Sequence, residues 1–214
     1  MTTSTTPDAP GAASSSLPNA LTVARLVAAP IVAGLILFAG HSLYAIGGDL
    51  SVILLSTALV LFVLAALTDW LDGAMARKLG AASAMGAALD HAADKALVTA
   101  CLIALAATAL PFDLICAAAI IVTRDVTVAG LREGLSLSGR ALPVSALGKV
   151  KTAVELLAVG AAIALQITAL AAPQSERVFE PLNVILFITR ASLWAAAALA
   201  LWSGADYARA ALRK

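Results

Sequence analysis

The chain has 214 residues, of which 61% are apolar and 13% charged, with a net charge of +1 and a mean hydropathy of +0.96. A soluble domain of that length is about half apolar and roughly a quarter charged. So much apolar surface cannot be hidden in one small core, and it requires lipid around it. The near-zero net charge gives no basis for nucleic-acid binding. Cys101 and Cys116 sit in apolar runs with no CxxC spacing, so they read as packing residues rather than a disulfide or metal pair.

Residues 1–17, MTTSTTPDAPGAASSSL, hold no Lys or Arg and lack the basic start and apolar run of a signal peptide. They read as a disordered tail preceding one domain over residues 18–214. A hydrocarbon core of ~30 Å needs about 20 apolar residues per helix, and six runs meet that need. The first lies in 20–40 and contains Pro30, which a membrane helix tolerates. The second covers 50–71. The third covers 87–110, its helix starting near Ala81, and the fourth covers 112–131. The fifth and sixth cover 151–171 and 182–207, with breaks at Gly47-Gly48, Pro111 and Pro173 on one side. The expected fold is therefore all-α, with six transmembrane helices and no internal repeat.

Six spans put both termini on one side, and the basic residues identify it. Arg77, Lys78, Arg132, Arg140, Lys149, Lys151, Arg209, Arg213 and Lys214 lie between spans two and three, between four and five, or in the C-terminal tail. The opposite loops hold only Arg177. Basic residues accumulate in cytoplasmic loops, so both termini are expected in the cytoplasm.

Charge at membrane depth is costly and therefore informative. Four of the 13 acidic residues fall between positions 69 and 94. Asp69 and Asp72 are three apart and Asp90 and Asp94 four apart, spacings that put each pair on one helix face. The two helices are consecutive, with a short turn near Lys78–Ala81, so all four carboxylates are expected to converge just inside the cytoplasmic interface. Grouped carboxylates repel one another, and divalent cations such as Mg²⁺, Mn²⁺ or Ca²⁺ relieve that repulsion with hard oxygen ligands. Two bridged ions would make a phosphate-handling site. Gly73 and Ala76 leave room on the Asp72 face and Gly86 does so opposite, at a helix cost of roughly 1 kcal/mol per glycine. Arg77 supplies a forked cation suited to a pyrophosphate. One such aspartate would pass for a solvated helix end; four, with two glycines and an arginine on facing surfaces, would not.

The pattern Asp69-x2-Asp72-Gly73-x2-Ala76-Arg77-x8-Gly86-x3-Asp90-x3-Asp94 resembles, without gap or substitution, the signature of the CDP-alcohol phosphatidyltransferase family. The resemblance implies a six-helix membrane fold, a homodimer, and an active site open to the cytoplasm of a bacterial inner membrane. It further implies two divalent cations, Mg²⁺ or Mn²⁺, held by Asp69, Asp72 and Asp90 with Asp94 close by. Asp94 would be the general base, and Gly73, Arg77 and Ser83, with Ala76 and Gly86 beside them, would form the site for the CDP moiety of CDP-diacylglycerol.

The acceptor alcohol is read from residues 123–152. Arg124 lies about 12 Å inside the cytoplasmic end of span four at 1.5 Å per residue, where a guanidinium needs an anion or Asp125 as partner. Arg132, Arg140, Lys149 and Lys151 are expected nearer the surface, at the cavity mouth, where they fit either ordinary positive-inside bias or a phosphate pocket. This stretch, with Leu131-Arg132-Glu133 and Gly148-Lys149-Val150-Lys151-Thr152, resembles the bacterial phosphatidylglycerophosphate synthase branch of the family. So does the opening Leu17-Pro18-Asn19-Ala20-Leu21-Thr22-Val23-Ala24-Arg25. It implies sn-glycerol 3-phosphate as acceptor, with Arg124, Arg132, Lys149 and Lys151 around its phosphate. Two positions depart from that branch: His91 stands where proline is usual, and Asp125 where glutamate is. His91 is a lesser candidate ligand or base. Inositol phosphate, serine and phosphatidylglycerol are alternative acceptors. An ion transporter, the alternative outside enzymes, would place its acids near the midplane between repeated halves, which this chain does not. Trp70 reads as an interfacial anchor, Trp194 and Trp202 as lipid-facing or packing residues, and Glu155 and Arg190 as unpaired with each other because they lie at different depths.

Overall fold

The computed structural model describes residues 16–41, 48–79, 84–108, 110–137, 146–171 and 179–212; the side chains of 16–21, 69–92, 94, 132–133, 135–137, 146–149, 179 and 210–212 lie outside that description. The described residues form six α-helices and no strand: α1 (Ser16–His41), α2 (Gly48–Leu79), α3 (Ala84–Thr108), α4 (Phe112–Leu137), α5 (Ala146–Ala171) and α6 (Phe179–Leu212). All but α3 contain 20 or more residues apolar enough to cross a membrane, and the described apolar part of α3 runs from Lys95 to Thr108. This is a multi-pass membrane protein.

Each helix follows one of the six apolar runs but extends past it. α2 continues eight residues beyond Leu71 and α4 six beyond Leu131. Hydropathy registers only the lipid-crossing part, whereas backbone hydrogen bonding continues wherever no proline or glycine stops it. α1 likewise takes in Ser16 and Leu17 at its start. Between α3 and α4 the reversal is tight. The Leu110 amide donates to the Leu105 carbonyl at 3.3 Å, and the Pro111 carbonyl accepts from Leu114 and Ile115 at 2.9 and 3.0 Å. Proline has no amide to leave unpaired there.

α1 packs against α2 and α3, α6 packs against α4 and α5, and α2 joins the two groups through α5. Ile36, Leu55, Phe62, Leu97, Leu105, Leu114, Ile121, Ile163 and Leu193 fill the interior, with Ala58, Ala158, Ala196 and Ala200 where backbones come close. Outward faces are as apolar as the interior: Phe112, Phe187, Trp202, Leu157 and Ile53 are all largely exposed. Lipid, not water, is the medium such faces match. Trp194 and Trp202 point outward as expected. Cys101 is buried, Cys116 half-buried, and both are free thiols.

Several hydroxyls within the spans are satisfied locally. Thr57, Thr168, Thr189 and Ser192 donate to the carbonyl four residues back, the usual outlet for a hydroxyl in lipid. At the α1–α3 contact, a Cβ on Gly40 would stand 2.5 Å from Thr108 Cγ2, so only glycine permits this approach. Thr108 in turn accepts from Gln166 Nε2 of α5 at 3.1 Å.

Candidate active site

The aspartate signature occupies the end of α2 and the start of α3. Asp69 and Asp72 lie ten and seven residues before the end of α2; Asp90 and Asp94 lie six and ten residues after the start of α3. At 1.5 Å per residue, both pairs therefore stand about 10–15 Å along their helices from the connection at 80–83. Counted along their helices, the two pairs thus stand at comparable distances from the connection. Their side chains, and those of Gly73, Ala76, Arg77, Gly86 and His91, lie outside the described residues, as does Ser83 altogether. An all-carboxylate donor set suits a hard divalent cation. Among the described residues no group of three His, Cys, Asp or Glu side chains could hold a metal ion, and the four aspartate side chains are not among them. On α1, Arg25 and Thr22 are buried one turn apart in the same end of the bundle, and both carry interactions there.

Beside Asp94 the helices build a cluster that sequence reasoning only partly anticipated. Asp125 on α4 is its hub. Its Oδ2 accepts from Lys95 Nζ of α3 at 2.8 Å, and its Oδ1 accepts from Lys151 Nζ of α5 at 2.5 Å and from its neighbour Arg124 at 2.9 Å. Glu155, one turn beyond Lys151, pairs with that lysine and stands 3.6 Å from Lys95 Nζ. Lys95, Asp125, Lys151 and Glu155 therefore close an alternating ring of charges. The Asp125, Lys151 and Glu155 side chains are 2%, 2% and 0% exposed, and Lys95 is 16%. Each charge is costly at this depth, and each is met by an opposite one.

Arg124 extends the cluster to α6. Its Nε donates to the Ala200 carbonyl at 3.1 Å and its Nη2 to Ser203 Oγ at 2.8 Å, while the guanidinium lies 5.6 Å from the Tyr207 ring centroid. The partner that the sequence required for Arg124 is Asp125, with α6 supplying the rest. Lys151 is a correction. Expected near the surface at the cavity mouth, it is instead buried, because two carboxylates at that depth draw its ammonium inward. The side chains of Arg132 and Lys149 lie outside the described residues, as does residue 140.

Sequence reasoning did not single out Lys95 and set Glu155 aside. The available signals were the i, i+4 spacing of Lys151 and Glu155 and the presence of opposite charges in three spans. Arg190, which the sequence did not pair with Glu155, meets Asp113 at 3.0 Å near the other end of the bundle.

Comparison with known proteins identifies the family. The family model described as CDP-alcohol phosphatidyltransferase matches residues 15–202. A Bacillus subtilis (strain 168) protein named CDP-diacylglycerol–glycerol-3-phosphate 3-phosphatidyltransferase is 38% identical over 148 residues, 68% of this chain and 75% of its own. A protein of the same name from Rickettsia bellii is 34% identical over 194 residues, covering 91% of this chain and 94% of its own. Another, from Cereibacter sphaeroides, is 40% identical over 145 residues, 67% of this chain and 61% of its own. The matched region takes in both aspartate pairs and every charged member of the cluster beside them, and the chain belongs to the CDP-alcohol phosphatidyltransferase family.

Proposed function

We propose that this protein transfers a phosphatidyl group from CDP-diacylglycerol to sn-glycerol 3-phosphate, giving phosphatidylglycerophosphate and CMP. The observation that carries the reading is the sequence of two features along the fold: aspartate pairs on the consecutive helices α2 and α3, and a cation-rich cluster beginning at the next residue, Lys95, and reaching α4, α5 and α6. The first suits a pyrophosphate donor, and the second suits an acceptor that itself bears a phosphate. The relatives described above carry this reaction in their names.

In the proposed mechanism the acceptor hydroxyl oxygen attacks the phosphorus bearing the diacylglyceryl group. A new P–O bond forms, the P–O bond to CMP breaks, and the bonding pair leaves with CMP. Asp94 accepts the hydroxyl proton, for which a carboxylate within hydrogen-bond reach suffices. Gly73, Ala76 and Gly86 leave room for the nucleotide, and Arg77 and Ser83 contact the CDP moiety. Asp69, Asp72, Asp90 and Asp94 would hold two divalent cations, Mg²⁺ or Mn²⁺, which neutralise the donor's pyrophosphate. Arg124 and Lys151 add positive potential from within the ion cluster, while Arg132 and Lys149, on the adjoining ends of α4 and α5, close around the acceptor phosphate. The excess of Lys and Arg in the segments joining spans two to three and four to five, and in the C-terminal tail, supports a cytoplasmic side for both termini and the site, in a bacterial inner membrane. The active unit is a homodimer.

The test is CMP release by purified protein with CDP-diacylglycerol, offering glycerol 3-phosphate, inositol phosphate, serine and phosphatidylglycerol in turn. Glycerol 3-phosphate is expected to support turnover and the others not. CMP release with another alcohol alone would refute the acceptor, and release with none would refute the reaction.

A further inference from the structure

The bundle has two groups of helices, α1–α3 and α4–α6, whose main joint runs along α2 and α5. Among the described residues, α3 packs extensively on α1 but meets α4 and α5 only sparsely. Yet α3 carries Asp90 and Asp94, whereas the residues assigned to the acceptor lie on α4 and α5. The principal described side-chain link across that sparse contact is the ring of Lys95, Asp125, Lys151 and Glu155, which starts one residue from Asp94.

Apolar packing would hold these helices together at least as well, since a buried ion pair gains little net stability over hydrophobic residues of the same volume. Charges differ from methyl groups in direction. Each ammonium in the ring must reach two carboxylate oxygens at once, a condition met at one axial and rotational setting of α3 against α4 and α5. A slide of one residue, about 1.5 Å, would break contacts on both sides of Lys95. The same slide would carry Asp94 with it.

We propose that the ring is a positioning device, with Lys95 and Asp125 as positioning residues. It sets the register of α3 against α4 and α5, and so the distance between the proton-accepting carboxylate of Asp94 and the acceptor. This rests on the phosphatidyl-transfer reading above. Donor and metal groups stand on α2 as well as α3, so they depend on the ring less than the acceptor side does. Misplacement of a reacting group by an ångström costs up to about a hundredfold in rate, so a loosened ring penalises the acceptor side selectively.

The test uses full-length protein in lipid nanodiscs and the variants Lys95→Gln, Asp125→Asn and Glu155→Gln. Each is expected to raise the KM for the acceptor or lower kcat about ten- to hundredfold, leaving the KM for CDP-diacylglycerol and the Mg²⁺ activation constant within roughly twofold. Asp125→Glu, which keeps the charge, should recover part of the loss. A second measurement needs no substrate: spin labels on Ile103→Cys of α3 and Leu157→Cys of α5, both exposed, in a Cys101→Ala, Cys116→Ala background. Electron–electron resonance should give a narrow distance distribution with the ring intact and a shifted or broadened one in each variant. If Asp125→Asn yields no folded protein, Lys95→Gln still decides, because Lys151 keeps both its carboxylates. An unchanged label distribution, donor and acceptor KM values rising together, or a loss of thermal stability alone would overturn the proposal. If wild type used a different alcohol, the acceptor assignment would fall. The label distances and the KM for that alcohol would then judge the ring.

Discussion

Replacing Arg124 by alanine removes a guanidinium that holds Asp125 at 2.9 Å, the Ala200 carbonyl at 3.1 Å and Ser203 at 2.8 Å. The stability cost is limited because Asp125 keeps Lys95 and Lys151 as partners and is not left as an uncompensated buried charge. A lost charge-assisted hydrogen bond is worth about 1.5–3 kcal/mol, well below the 3–5 kcal/mol or so of an orphaned buried ion. Folded protein should therefore be recovered, with a lowered melting temperature. On function, Arg124 is proposed to act on the acceptor phosphate by its potential rather than by a direct hydrogen bond, so its loss should raise the acceptor KM about tenfold, or roughly 1.4 kcal/mol. The KM for CDP-diacylglycerol should change much less, since the proposed mechanism rests that ligand on Arg77 and the aspartates. Arg124→Lys should fall between the two, because an ammonium cannot span α4 and α6 as the planar fork does. Steady-state CMP release, varying each substrate separately, reads the outcome. A parallel rise in both KM values would refute the reasoning.

Asp94→Asn should nearly abolish turnover while CDP-lipid binding, followed by isothermal titration in detergent, survives in part; full activity would remove the general base from the mechanism. Asp69→Asn, Asp72→Asn and Asp90→Asn should instead raise the Mg²⁺ concentration needed for half activation. EDTA should silence the wild type, and added Mg²⁺ or Mn²⁺ should restore it; activity persisting through chelation would argue against the metal site. Gly40→Ala should destabilise the bundle by about 1–3 kcal/mol, because its Cβ would stand 2.5 and 2.6 Å from two Thr108 carbons. A melting curve identical to wild type would mean that α1 and α3 can part there at no cost.

Both kinds of information are visible in the two halves of the site. Lipid forces each span to satisfy its own backbone hydrogen bonds, so an apolar run of about 20 residues must be a helix wherever it packs. The six helices were legible for that reason. The helices that carry the aspartates were legible for a similar one: Asp69 and Asp72 fall in the second apolar helix and Asp90 and Asp94 in the third, on either side of a short connection. These are local properties, carried by a few consecutive turns. Helix ends were less legible, since α2, α4, α5 and α6 continue past the runs that hydropathy marks.

The partners of Lys95, Arg124, Lys151 and Glu155 were of another kind. Lys151 reads as one of several cations near a helix start, and nothing within its own turn says that Asp125, 26 residues earlier, will bury it. Arg124 bonds across 76 and 79 residues to α6, a neighbour that could not be inferred from the intervening chain. Sequence by itself determined the class of protein, its spans, and the aspartate signature, because periodicity and lipid solvation act within one helix. Only the tertiary structure decided which charges share a ring, because pairing in a low-dielectric interior depends on helix rotation and depth, and those follow from packing between helices.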